Sequence, residues 1–271
     1  MAFNKDELII DQVLSGAMFD KSDAHVLFLL NDISDPSLEM GGEKVYATDH
    51  LGMNIAAFNR SKTATFSGSN SLFSLGLIAA QAGTAKEIAG TDNLFAVPYK
   101  EYLLVGSDTD GNVNTTVTLA KTPITGSVTI ELLDEGRSLS GTNIPVESTA
   151  SDSAASISEN VITLPTGLDI TAADYIGVFY EYETDEAVTV KNVIDSETIS
   201  GEFRLEVLFC EKCNQSIQYY GYVVFPSAVL DNNATINLTT DGGHPFTIEA
   251  LADYCSTDRE LFHIIVPGEL D

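Results

Sequence analysis

The 271-residue chain carries 13 Lys plus Arg against 40 Asp plus Glu, a formal charge of −27 with histidine neutral. So few cations exclude a nucleic-acid grip, which works by neutralising phosphates, and attachment to anionic lipid headgroups. With 44% hydrophobic and 20% charged residues the acidity reflects scarce bases and not a disordered composition, so the chain can bury a core as one large β domain or as two smaller ones.

The first residues lack a basic stretch leading into a long apolar run, and nowhere do the roughly 20 apolar residues of a bilayer-spanning helix occur. The expectation is a soluble protein made in a cytoplasm. Three cysteines, an odd number, fit a reducing compartment better than a disulfide scaffold. Asn4 is placed to cap a helix over residues 5–14, with Asp6 and Glu7 in its first turn and Gly16 beyond its end. Ser69 or Asn70 precedes a second helical stretch, 71–82, with Leu72, Leu75, Ile78 and Ala79 on one face and Gly83 as its stop.

From there the pattern is one of short strands. Aromatic or β-branched runs cover residues 99–105, 113–119, 175–182, 203–209, 219–225, 234–239 and 261–266, and period-two alternation marks 127–132 and 186–194. Turn residues such as Asp110-Gly111 and Asp241-Gly242-Gly243 separate them. Residues 136–160, rich in Ser, Thr, Ala and Gly, read as a long exposed loop, and a third helix is expected over 246–254. The fold class is therefore mainly β: an antiparallel sandwich or barrel with one to three short flanking helices. Residues 1–100 and 200–271 form its core. Residues 101–199 are an acidic β-rich segment, either an inserted subdomain or an extension of the same sheets. By hundreds, the charge is −5, −14 and, for the last 71 residues, −8, so the acid concentrates in that middle segment.

No convergent chemistry emerges. His25 and His263 lie in apolar runs, as core or interface histidines do. The string Gly136-Arg137-Ser138-Leu139-Ser140 lacks the last glycine of a nucleophile elbow, and no phosphate-binding glycine motif is present. Asp108-Thr109-Asp110-Gly111-Asn112 opens like a calcium loop, but Val113 and Leu119 occupy the positions of the turn glycine and the bidentate glutamate, so a hairpin turn is the better reading. Cys210-Glu211-Lys212-Cys213 has the form of a zinc knuckle that Cys255 with His244 or His263 could complete; the alternative is a hairpin with two free thiols, and one such pair falls short of a structural zinc site. No catalytic, cofactor or metal residues are assigned, and the chain is not expected to be an enzyme.

Two stretches point to a family. Val45-Tyr46-Ala47-Thr48-Asp49 through Phe58-Asn59-Arg60-Ser61-Lys62 to Phe66 and Ser71 describes a strand hairpin followed by a short helix. Gly221-Tyr222-Val223-Val224-Phe225-Pro226, Ile236 to Gly243 and Glu260 to Ile265 describe a strand ending in proline, a polar strand, a glycine turn, a helix and a last strand. Together they resemble the tail tube (major tail) proteins of tailed bacteriophages. The resemblance implies a structural virion protein of the tail, made in the host cytoplasm, whose copies form stacked hexameric rings beside tape-measure, terminator and, in some tails, sheath proteins. A channel lined by carboxylates would let DNA pass without sticking; Glu181, Glu183, Asp185 and Glu186, the densest acidic run, are the candidates for that lining. Arg60, Lys62 and Lys100 are candidate subunit-contact bases. Acidification toward pH 5 should relieve carboxylate crowding and favour assembly. Rival readings are a capsid decoration or baseplate protein, and a carbohydrate-binding β-sandwich, which would need exposed aromatic platforms.

Overall fold

The computed structural model describes residues 6–134, 136–240, 242–252 and 259–268. Strands β1 (Leu8–Phe19), β2 (Val26–Leu30), β3 (Ile33–Thr48) and β4 (Asn54–Asn70) lead to α1 (Leu75–Gln81), the one helix among the described residues. Ten short strands follow: β5 (Glu87–Ile88), β6 (Phe95–Leu104), β7 (Thr116–Thr118), β8 (Thr129–Leu133), β9 (Leu139–Ile144), β10 (Val146–Glu147), β11 (Ala155–Ser158), β12 (Val161–Thr163), β13 (Tyr175–Thr184) and β14 (Val188–Thr189). The chain then returns through β15 (Ser200–Glu211), β16 (Asn214–Leu230), β17 (His244–Ala250) and β18 (His263–Ile265). Two compact units result, one from residues 1–86 and 190–271, the other from residues 87–189.

The first unit is a single antiparallel sheet in the order β2-β1-β15-β16-β17-β4-β3, with β18 also on β16. Alternation on β15 sends Phe203, Leu205 and Val207 inward, and Phe28 of β2, Phe66 of β4 and Phe225 of β16 meet Phe203 at ring-centroid distances of 6.3, 6.0 and 6.1 Å. Strands far apart in the sheet order thus share one core, which requires the sheet to curl around it. Helix α1 adds the buried Leu77 and Ala80. Ser74 caps it by accepting the Leu77 N–H at 3.2 Å, and Gly83, at φ +65°, ends it with paired bonds from Gly83 N to Ala80 O and from Thr84 N to Ala79 O.

The second unit is a sandwich. Sheet β6-β13-β8-β9 and sheet β10-β11-β12-β7 enclose Val117, Leu119, Ile130, Ile144, Ala155, Ile162, Ile176 and Val178, and a β5-β14 ribbon accompanies them. Pairing is antiparallel except between β10 and β11.

Several expectations need correction. The helix expected over 5–14 is strand β1 from Leu8 onward; residue 5 lies outside the described residues. Register shifts between Ile10 and Gln12 and between Val13 and Ser15 each insert an unpaired residue, which breaks the period-two signature the strand would otherwise carry. Residues 246–250, expected to be helical, belong to β17, where buried Phe246 and Ile248 alternate with Thr247 and Glu249; residues 253 and 254 lie outside the described residues. The helix expected over 71–82 is shorter and capped by Ser74, not by Ser69 or Asn70. Residues 136–160 are not a long loop: β9, β10 and β11 fall within them, and small Ala154 and Ala155 bury alongside Ile144. Residues 234–239 form no strand, and His25 is exposed just before β2.

Candidate assembly surface

The sequence gives β3 and β4 unequal halves. Near the sheet, Ile33, Ala64 and Phe66 bury; from Glu39 through Thr63 every residue of the two strands and their connection is exposed, apart from a half-buried Asp49 at the turn. The strands nonetheless stay paired from Gly41↔Thr63 to Thr48↔Asn54. They form a two-stranded arm whose two faces are exposed among the described residues. Its tip is fixed by Asp49, whose Oδ1 accepts the N–H groups of Leu51 (2.9 Å) and Met53 (2.8 Å), with Gly52 at φ +81°.

The arm is also unusually apolar for an exposed element. Met40 and Leu51 are 73% exposed, Ile55 70%, Met53 66% and Phe58 52%, with Val45 and Tyr46 beside them. Val45 faces Phe58 directly across the ribbon, and Glu43 faces Arg60. A two-stranded ribbon is marginal in water, and scattered surface apolar residues do not cluster in this way without a partner. Its charge differs from the rest as well: between residues 39 and 63 Lys44, Arg60 and Lys62 balance Glu39, Glu43 and Asp49, in a chain of −27.

Of the contact bases expected from sequence, Arg60 and Lys62 thus lie on the arm, while Lys100 is on β6 of the second unit. The acids are also in the second unit: Glu181 and Glu183 are exposed on β13, and Asp185 and Glu186 occupy the turn after it. The structure does not gather these acids with the arm bases in one unit. Lys44 was missed; its membership follows only from pairing with Asn59 across the arm.

The second unit holds 17 acids and three bases, and each base lies over a tyrosine: Lys100 over Tyr102 (5.9 Å), Lys121 over Tyr182 (5.5 Å) and Arg137 over Tyr175 (4.7 Å). Its only buried phenol among the described residues, Tyr180, donates to Glu101, whose carboxylate also accepts the Ala120 N–H at 3.0 Å. Burial first, then the hydrogen bond to Glu101 and that carboxylate's charge, push the phenol well above the ordinary tyrosine range. Phe179 (38% exposed) and Tyr102 (45%) meet edge to face on the outer side of β13 and β6.

Cys210 is a buried residue of β15 and Cys213 is exposed in the turn before β16; both are free thiols, and Cys255 lies outside the described residues. His263 is bonded to Glu260 and His244 to Gln81, and among the described residues no group of three or more His, Cys, Asp or Glu could hold a metal. Asp108 spends its carboxylate on its own turn: the N–H groups of Asp110 and Asn112 reach Oδ1 at 2.9 and 2.8 Å and hold its pKa below the usual range. This is the hairpin-turn arrangement.

His244 is 1% exposed and lies opposite Asn70 across β17 and β4. Gln81 donates through Nε2 to Pro245 O (3.0 Å), so its Oε1 accepts from His244 Nε2 (2.8 Å), leaving Nδ1 unprotonated and without a partner among the described residues. Burial holds the imidazole below its ordinary pKa. A folded-state pKa below the unfolded 6.5 means the unfolded chain takes up the proton first, so stability falls as pH drops below 6.5 and levels off beneath the folded value. Denaturation midpoints measured from pH 8 to pH 5 should therefore decline more steeply for the native chain than for His244→Gln; parallel curves would contradict this.

Exposed contact surface is what these residues present, and the chain is a mainly antiparallel β protein. The family model described as the YomU/Tube protein family matches residues 8–261, and the chain belongs to that family. The matched span takes in both units, and the description is that of a tube protein. No curated protein matches the chain. No helix among the described residues is long and apolar enough to cross a membrane.

Proposed function

We propose that the chain is the tail tube subunit of a tailed bacteriophage, a virion protein that assembles without catalysis into stacked hexameric rings around an acidic channel for the genome. One observation carries the reading: the β3–β4 arm, an apolar, charge-balanced ribbon uncovered on both faces in an otherwise strongly acidic chain. Fully burying side chains such as those of Met40, Tyr46, Leu51, Met53, Ile55 and Phe58 contributes about 1.5–3 kcal/mol each. Their sum is on the scale of the roughly 4–15 kcal/mol that association costs, so assembly requires most of the arm to be covered at once. Rings built from many such contacts satisfy that condition, and single encounters do not.

The remaining acid fits a conduit. Exposed carboxylates, Glu181, Glu183, Asp185 and Glu186 among them, repel DNA phosphates, while Arg60 and Lys62 serve the contacts between subunits. Tape-measure, terminator and, in a contractile tail, sheath proteins are the expected neighbours. Sedimentation of the full chain over rising concentration, alone and with tail-initiation components, should reveal ring-sized and longer species. A monomer under every condition would contradict the reading.

A second reading has one observation in its favour. The exposed Tyr102–Phe179 pair is the aromatic surface that a carbohydrate-binding module requires. A glycan array probed with the full chain should stay dark if the tube reading is complete; binding abolished by Tyr102→Ala would give the second unit its own ligand.

A further inference from the structure

Resting on the tube reading, a more specific contact follows from the base of the arm. A notch of about 770 Å³ opens there in the first unit, lined by Lys44, Lys62 and Arg259, by Met40, Leu261 and Phe262, and by Glu260, whose carboxylate is taken by His263. Three of the chain's 13 bases therefore line one cavity, in a molecule where acids outnumber bases by 27. No carboxylate among the described residues forms an ion pair with Lys44 or Lys62. Lysines left without counterions beside an apolar floor complement a segment that brings a carboxylate and large apolar side chains together.

The chain has such a segment at the arm tip. Asp49 uses Oδ1 for its turn, which leaves Oδ2 to meet a cation, and Leu51 and Met53 stand exposed two and four residues further on. The tip cannot reach its own notch. Four residues of paired strand separate Lys44 from Thr48, roughly 13 Å of stiff ribbon at ~3.3 Å per residue. A contact between tip and notch must join two copies. It uses different surfaces on the two partners, and such contacts close into rings or continue into filaments.

We infer that the notch formed by Lys44, Lys62 and Arg259 receives the arm tip, Asp49 to Met53, of a second copy of this chain. Asp49 then lies against the two lysines, while Leu51 and Met53 cover Met40, Leu261 and Phe262.

The test uses the full chain. Lys44→Glu/Lys62→Glu should raise the protein concentration needed for assembly by more than about tenfold, since it sets like charges against Asp49. Lys21→Glu/Lys212→Glu makes the same change in net charge outside the notch and should assemble as the native chain does. Leu51→Cys/Thr63→Cys in a Cys213→Ser background should yield a ladder of disulfide-linked multimers on oxidation, and neither single variant should. Normal assembly of Lys44→Glu/Lys62→Glu would overturn the inference and leave the tube reading standing. Tubes of the double-cysteine variant that do not cross-link would overturn the tip as occupant. A native chain that never assembles would overturn both the inference and the reading beneath it.

Discussion

Replacing residues 42–62 by an Asn-Gly turn should abolish assembly and leave the fold intact. The cut falls between Gly41 and Thr63, which already pair, and a two-residue type I′ turn suits the join. Nothing buried is removed: the core residues nearest the cut, Ala64 and Phe66, stay in place, and the deleted part of the arm contributes no residue to the first unit's core. The expected change in unfolding free energy is therefore within about 1 kcal/mol, the scale of surface substitutions. Loss of assembly should be complete, because the deletion takes away Leu51, Met53, Ile55 and Phe58 and both notch lysines, Lys44 and Lys62, at once. Sedimentation and urea denaturation of the same preparation separate the two effects. An armless chain that still forms rings would remove the arm from the account.

Phe203→Ala should do the reverse. Phe203 is fully buried, and its ring is within 6.3 Å, centroid to centroid, of Phe28, Phe66 and Phe225, which come from three different strands. Gly16 is part of the same fit: a Cβ there would come within 3.1 Å of the Phe203 ring. Truncating the ring leaves a cavity that rigid neighbours cannot close, at a cost of about 3–5 kcal/mol. Against the roughly 5–15 kcal/mol that holds a domain folded, this brings the first unit close to unfolding at ordinary temperature. The second unit has its own core, so denaturation should become visibly two-step, with only the first unit's transition moved. Phe203→Leu, which keeps most of the volume, should cost less than about 1.5 kcal/mol. Equal destabilisation by both variants would contradict the packing described for this position.

How far the sequence could be read follows from where each signal resides. Residues 203–209 and 175–182 were legible as strands because aromatic and β-branched residues run through them, as suits strands with a buried face. Strand β1 was not, since two bulges scramble its period, and β17 was not, since seven residues after a Gly-Gly turn suit either a short strand or a helix start. Strands β9 to β11 hid because Ser, Thr and Ala carry little hydrophobic pattern even where Ala154 and Ala155 are fully buried. At the candidate site, Arg60 and Lys62 stood out because bases are scarce. Lys44 and Arg259 did not, because what brings them together is the pairing of β3 with β4 and the return of residues 259–262 to the arm base. Contacts of such sequence separation leave no local trace.

Electron micrographs of the purified full-length protein, taken alone and after incubation with tail-initiation components, test the central claim most directly. Rings or tubes with a stain-filled central channel, absent from the armless variant, are the predicted result. Dispersed single molecules in both conditions, or filaments without a channel, would contradict it.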